Sequence, residues 1–166
     1  MAGLLNLENT LQVLESYAVE FRNMYQDTLI RSDRIASGEL LNSVEARVEA
    51  HGTVYEVQLL LEDYWKYVED DTRPHWPPRD AILRWIRMKP VLPRPDAYGR
   101  VPTPQSLAYL ISRKIARSGT RGSHDMRKTQ QVMNADIRRR LEEAFARDVS
   151  ETFARILQIE INTIGR

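Results

Sequence analysis

The sequence predicts an α+β protein: a long N-terminal helix, a small antiparallel β-sheet built as a hairpin or meander, two short helices in a proline-rich insertion, and a long C-terminal helix. Three observations predict it. Apolar residues recur at steps of three and four near both ends of the chain, the helical period. Between Val44 and Leu61 the period switches to two, as in half-buried strands. All eight prolines fall between Arg73 and Pro104, where they stiffen the connections and mark helix starts.

The first helix carries the most regular stripe. Leu4, Leu7, Leu11, Leu14, Ala18, Phe21 and Tyr25 lie on one seam, with Glu8, Glu15, Glu20 and Arg22 off it, and Asn6 or Asn9-Thr10 available to cap its start. Such a seam packs either on the protein's own sheet or on a helix of another subunit. Three heptads are the lower limit for a coiled coil. Ser37-Gly38 signals a turn. Val44, Ala46, Val48 and Ala50 then alternate with Glu45, Arg47 and Glu49, His51-Gly52-Thr53 closes a hairpin, and Val54, Tyr55, Val57, Leu59 and Leu61 form the partner strand. Tyr64–Glu69 reads as a third strand or a short turn of helix leading into Asp70-Asp71-Thr72.

Pro77-Pro78 precedes a helix from Arg79 to Ile86 with Ile82, Trp85 and Ile86 on one face. Thr103-Pro104, an N-cap followed by proline in the first turn, opens a second helix, Gln105–Arg117, with Leu107, Leu110, Ile111 and Ile115 facing inward. Lys89–Pro102 between them reads as an extended, proline-stiffened linker. Ser118–Asp125, with Gly119 and Gly122, breaks the second helix. The last helix runs from about Thr129 to Thr163 with a core stripe of Met133, Ile137, Leu141, Phe145, Val149, Phe153, Ile156 and Ile164.

The 166 residues suit one domain, 1–166, with 73–128 a basic Pro/Gly-rich insertion or arm. Charge is divided along the chain: Trp76–Lys128 holds twelve Lys/Arg against three Asp/Glu, residues 1–75 six against fourteen, and the remainder is balanced. A split of +9 and −8 suggests a polyanionic partner or copies of the same chain meeting acidic face to basic face. With no cysteine, disulfides, thiol catalysis and thiolate metal sites are excluded. No apolar run approaches the roughly 20 residues that span a bilayer, and no basic-then-apolar export signal opens the chain, so a cytosolic or cytosol-assembled protein with no membrane partner is expected.

Catalytic constellations are poor. His51, His75 and His124 lack paired metal-ligand spacing, and Glu62-Asp63 and Asp70-Asp71 are adjacent acids of the kind solvent usually takes. The glycines form neither a nucleophile elbow nor a phosphate loop. A non-enzyme with no cofactor and no metal is expected. Nucleic-acid binding has more in its favour. Arg113, Lys114, Arg117, Arg121, Arg127 and Lys128 cluster about the glycine loop, with His124 inside it, and small residues there would let backbone N–H groups approach phosphates. The proline-dense linker of more than a dozen residues is far from the three- or four-residue turn of a helix-turn-helix. Tyr64, Trp65, Tyr67 and Trp76 are not interleaved with the basic cluster as stacking platforms would be.

Two segments carry a family resemblance. Ser37-Gly38-Glu39-Leu40-Leu41-Asn42-Ser43-Val44 is similar to a Ser/Thr-Gly-x-Leu-x-x-Ser-Ile/Val lead-in to a first strand, and Tyr64-Trp65-Lys66-Tyr67-Val68-Glu69-Asp70-Asp71-Thr72-Arg73 to a Tyr-Ala-x-x-Val/Ile-Glu-x-Gly-Thr segment followed by prolines. Both belong to the tail-completion or head–tail joining (neck) proteins of tailed phages. The middle section, Trp76–Ile86 and Gly99–Thr120, looks like the longer variants in phages of gut bacteria. This chain departs at Trp65, where a small residue is usual, and at Asp71, where glycine is usual.

The resemblance covers roughly residues 20–125. It implies an α+β protomer without catalysis, assembled in the host cytoplasm into the virion as a homo-oligomeric ring of about six or twelve copies between portal and tail. Adjoining portal, adaptor or tail proteins would be its partners, and a basic loop facing the lumen would meet genome DNA non-specifically. Arg113, Lys114, Arg117, Arg121, His124 and Lys128 are the expected contact residues, to protein or to DNA backbone. The alternative is a nucleic-acid-binding protein using the basic 113–128 segment.

Overall fold

Eight elements follow one another: α1 (Glu8–Arg31), α2 (Glu39–Ser43), β1 (Glu45–His51), β2 (Val54–Leu60), α3 (Trp65–Glu69), α4 (Arg79–Met88), α5 (Pro104–Ser118) and α6 (Asp125–Ile164). The architecture is α+β, mostly helical, with a single two-stranded antiparallel sheet among the described residues. The computed structural model describes residues 5–32, 35–52, 54–89, 91, 93–95 and 97–164. Leu4, Thr53 and Pro90 of the sequence reading lie outside them, as does the side chain of Ile164. The chain forms two compact units: one gathers residues up to Tyr25, Glu45–Leu60 and Arg127 onward, the other Gln26–Val44 and Leu61–Met126.

In the first unit the predicted seam of α1 is buried where it is bulkiest. Ala18, Phe21 and Tyr25 are buried, Tyr17 joins them with its ring 5.9 Å from that of Phe21, and Leu7, Leu11 and Leu14 are half-buried. The polar contacts beside the seam go to α6, a partner that neither sequence alternative named. Asn9 and Thr10 meet Asp148, the Tyr17 hydroxyl donates to Asn134 Oδ1 at 3.1 Å, and Arg140 forks onto Glu20 at 2.7 and 3.0 Å. The Glu20–Arg140 pair is solvent-exposed and contributes little, although the guanidinium holds the Glu20 carboxyl below the usual carboxylate range.

Asp148 carries more. It is buried and accepts the backbone N–H groups of Asn9 and Thr10, each at 2.9 Å, together with Asn9 Nδ2 at 2.8 Å and the Thr10 hydroxyl at 2.6 Å. A helix start leaves its first N–H groups without partners inside the helix, and here a carboxylate from the other end of the chain supplies them. Burial alone would raise this carboxyl; the hydrogen bonds from Thr10 and Asn9 outweigh it and hold the group below its ordinary value.

α6 begins at Asp125, four residues before the expected Thr129; Asp125 and Thr129 are buried at its start, and further along its buried line is Ala144, Asp148 and Thr152 flanked by half-buried Ile137, Leu141 and Val149. Phe145 and Phe153 were expected in the core stripe but are 48% and 62% exposed. Each sits one position past Ala144 or Thr152, about 100° round the helix, and turning them inward would pull Asp148 off the start of α1.

The hairpin pairs Ala46 with Leu59, Val48 with Val57 and Ala50 with Tyr55 on its less exposed face. Strand pairing stops at Leu60, so Leu61 is not part of β2. Gly52, at φ 66°, occupies the left-handed conformation that the tight turn needs.

In the second unit Leu29, Leu40 and Val44 are buried, and Tyr64–Glu69, left open as strand or helix, is the one-turn helix α3 with Tyr64 at its N-cap. α4 and α5 pack on each other. Thr103 Oγ1 accepts Ser106 N–H at 3.2 Å and Pro104 fills the first turn of α5, as its sequence implies. The buried face of α5 differs from the expected one: Ala108 and Ser112 are buried and Leu110 is half exposed. Small residues four apart let a helix neighbour approach closely, which rotates Leu110 outward.

Replacing Asp148 with Ala should cost about 1–3 kcal/mol, since buried N–H donors lose their acceptor. The folded carboxyl lies below its free value of about 3.9, so its contribution is complete above that pH and is lost as pH falls through the folded value. Urea midpoints measured across pH 7 to 3 should therefore fall more steeply in the wild type than in D148N.

Candidate functional site

The segment Tyr64–Thr72 runs through the second unit as a spine with contacts on both sides. On one side it meets the Ser37–Ser43 turn. Gly38 takes φ 84° ahead of α2, Ser43 Oγ accepts the Glu62 N–H at 3.1 Å, and the Tyr64 hydroxyl lies against the Leu40 backbone and Ser37. Burial pushes that hydroxyl up, with the Leu40 and Ser37 hydrogen bonds pulling the other way. Ser37, Gly38, Leu40 and Leu41 share with Tyr64 and Val68 a largely apolar cavity of about 330 Å³, closed in part by Leu29, Trp85 and Met88.

On the other side the spine pairs with the glycine loop. Thr72 N–H donates to Thr120 O at 2.9 Å, Thr120 N–H to Thr72 Oγ1 at 3.0 Å, and the two threonine hydroxyls lie 2.7 Å apart. Ser123 N–H donates to Val68 O, and His124 N–H to Glu69 O. Asp71 Oδ1 accepts Gly122 N–H at 2.8 Å and stands 3.4 Å from His124 Nε2. The buried Glu69 carboxylate accepts Met126 N–H at 2.9 Å in the first turn of α6.

This overturns one expectation. The loop N–H groups of Thr120, Gly122, Ser123 and His124, read as free to cradle phosphates, are already bound to the chain's own acidic segment. The glycines serve close packing instead. A Cβ at Gly122 would run into the Glu69 carbonyl, and one at Gly119 into that of Thr72. The Asp71 side chain receives the Gly122 N–H, a bond that a glycine at that position could not make.

The six expected contact residues divide. Arg113, Lys114 and Arg117 are exposed on successive turns of α5 and Arg121 is exposed in the loop; none of the four has an ion-pair partner among the described residues. Lys114 and Arg121 line an open groove of about 740 Å³ with Ile82, Trp85, Ile111 and Ile115. His124 is only part-exposed, at φ 55°, and engaged by Asp71. Lys128 is exposed on α6 and belongs to the other unit.

Sequence reasoning missed two residues. Trp76, set aside as remote from the basic cluster, lies with its ring 6.1 Å from that of Tyr109, one helical turn before Arg113. No local signal links positions 33 apart. Folding also dilutes the charge split. The second unit holds fourteen Lys/Arg and eleven Asp/Glu, a net of +3, and the first ten and twelve, a net of −2, because the acidic 61–75 stretch folds with the basic 76–126.

Among the described residues no cluster of three or more His, Asp or Glu could hold a metal ion, and no helix is long and apolar enough to cross a membrane. Compared with protein-family models, curated proteins and solved structures, the chain finds no match.

Gly122→Ala should lower stability by about 1–3 kcal/mol through overpacking against backbone. Glu69→Ala should cost about 0.5–2 kcal/mol through the lost cap on α6. Urea denaturation monitored by circular dichroism reads both, and a Gly122→Ala midpoint equal to wild type would show that the loop does not close on Glu69.

Proposed function

We propose that this chain is a non-catalytic structural protein of a tailed-phage virion, a subunit of the neck or tail-completion ring that joins the portal-bearing head to the tail. The observation that carries the reading is the meeting of the two segments on which the resemblance rests. Ser37–Val44 and Tyr64–Arg73 are separated by a hairpin in sequence, yet they line one cavity, and the Tyr64 hydroxyl lies against Ser37 and the Leu40 backbone. Two motifs that form one structural corner weigh more than two short matches taken separately.

The surface also suits a protein that works by assembly. Phe145, Phe153, Ile156 and Leu157 are exposed within three to four turns of α6, together with half-exposed Val19 on α1. Exposed apolar side chains in such number are usually covered by a partner. Copies of the chain in a ring, and the adjoining portal, adaptor or tail proteins, are the partners this reading names. The cations Arg113, Lys114, Arg117 and Arg121, without ion-pair partners among the described residues, are available to an acidic neighbour or to genome DNA in the lumen, with Lys128 on α6 a further contact.

Quantitative mass spectrometry of purified particles of the encoding phage should find about six or twelve copies per virion, as a closed ring requires. The double variant F145D/F153D should fold, since both rings face solvent, yet leave heads unjoined to tails when it replaces the wild type. Absence of the protein from particles, or normal infectious particles from the variant, would remove the assembly reading.

A further inference from the structure

A separate surface of the second unit combines two features that the sequence kept apart. Trp76 and Tyr109 are 59% and 46% exposed, with rings tilted at 58° and centroids 6.1 Å apart. Large aromatic rings that touch each other but leave this much area in solvent are costly to hydrate and offer π-faces to a ligand. Trp76 is held from a stiff stretch. Pro74 and Pro77-Pro78 flank it, Pro77 is buried, and His75 Nδ1 lies 2.9 Å from the Arg73 carbonyl oxygen. A pre-positioned ring loses little entropy on binding.

From Tyr109 the exposed face of α5 continues through Arg113 and Arg117, one turn apart, with Lys114 beside them. In the other direction Arg79 reaches the carbonyl of Gln105, one turn before Tyr109. Gln105 to Arg117 spans about 18 Å of helix. No Asp or Glu occurs anywhere in α5, and Arg113, Lys114 and Arg117 have no carboxylate partner among the described residues. A strip of exposed cations with no acids on its own helix presents a positive potential that attracts anions.

We propose that Trp76, Tyr109 and the α5 cations Arg113, Lys114 and Arg117 form a binding site for single-stranded nucleic acid, with a base stacked on the aromatic pair and adjoining phosphates on the cations. Charge alone would accept any polyanion. The aromatic pair decides between them, because an unpaired base gains from a π-face while an acidic polypeptide does not, and a duplex keeps its bases stacked inside. The site uses residues of the second unit only and does not rest on the assembly reading, so either can fail without the other.

The test is fluorescence anisotropy of the full chain with a labelled oligothymidylate of about twelve nucleotides, a length suited to a site of this kind. The expected result is binding that weakens as salt rises, by about 0.7 in log-log slope per phosphate contact. Binding should be tighter than for a duplex of the same length and resistant to competition by polyglutamate. W76A and Y109A should each weaken it about tenfold or more, with W76F restoring most of the loss, and R113E/R117E should abolish it. Both aromatic positions are exposed, so circular dichroism should be unchanged. No binding at low salt, equal affinity for duplex, full competition by polyglutamate, or wild-type affinity in folded W76A would each overturn the site.

Discussion

The second unit depends on the pairing between Val68–Thr72 and Thr120–Met126. Two irregular segments, fifty residues apart, satisfy each other's backbone groups through a threonine bridge, two further backbone bonds and two carboxylates. Loops buried against one another would otherwise leave donors without acceptors, at a cost comparable to a lost hydrogen bond for each group. Gly119 and Gly122 are required because the two backbones approach closer than a Cβ allows. The same contacts place the end of α5 and the start of α6, and so set where the cations of α5 face solvent.

The first unit repeats the device. Asp148 reaches the first turn of α1 as Glu69 reaches the first turn of α6, each a buried carboxylate meeting backbone N–H groups from a distant part of the chain. The positive end of a helix dipole and its unpaired N–H groups make the two helix starts the places where a buried negative charge is tolerated. Both long helices are thus tied at their N-termini by acids that, in the sequence, look like ordinary surface residues.

What these ties leave over is exposed surface. Fixing Asp148 inward turns Phe145 and Phe153 outward; packing Ala108 and Ser112 inward turns Tyr109, Leu110 and Arg113 outward. An exposed phenylalanine pair on α6 and an exposed tryptophan–tyrosine pair on α5 are consequences of which neighbours were chosen for the core. Closing the glycine loop on the acidic segment occupies the N–H groups of Thr120, Gly122, Ser123 and His124.

The sequence by itself determined the order of the long helices, the hairpin and the two helices of the proline-rich stretch, the seam of α1 from Ala18 to Tyr25, and the proline-marked starts of α4 and α5. Each of these rests on a local cause: helical period, alternation, a glycine turn, or a fixed φ. The extent of α6 and its inward face, the burial of Ala108 and Ser112, the occupation of the glycine loop, and the approach of Trp76 to Tyr109 were decided only by tertiary structure. These follow from hydrogen-bond satisfaction and close packing between residues tens to more than a hundred positions apart, and neither leaves a periodic trace along the chain.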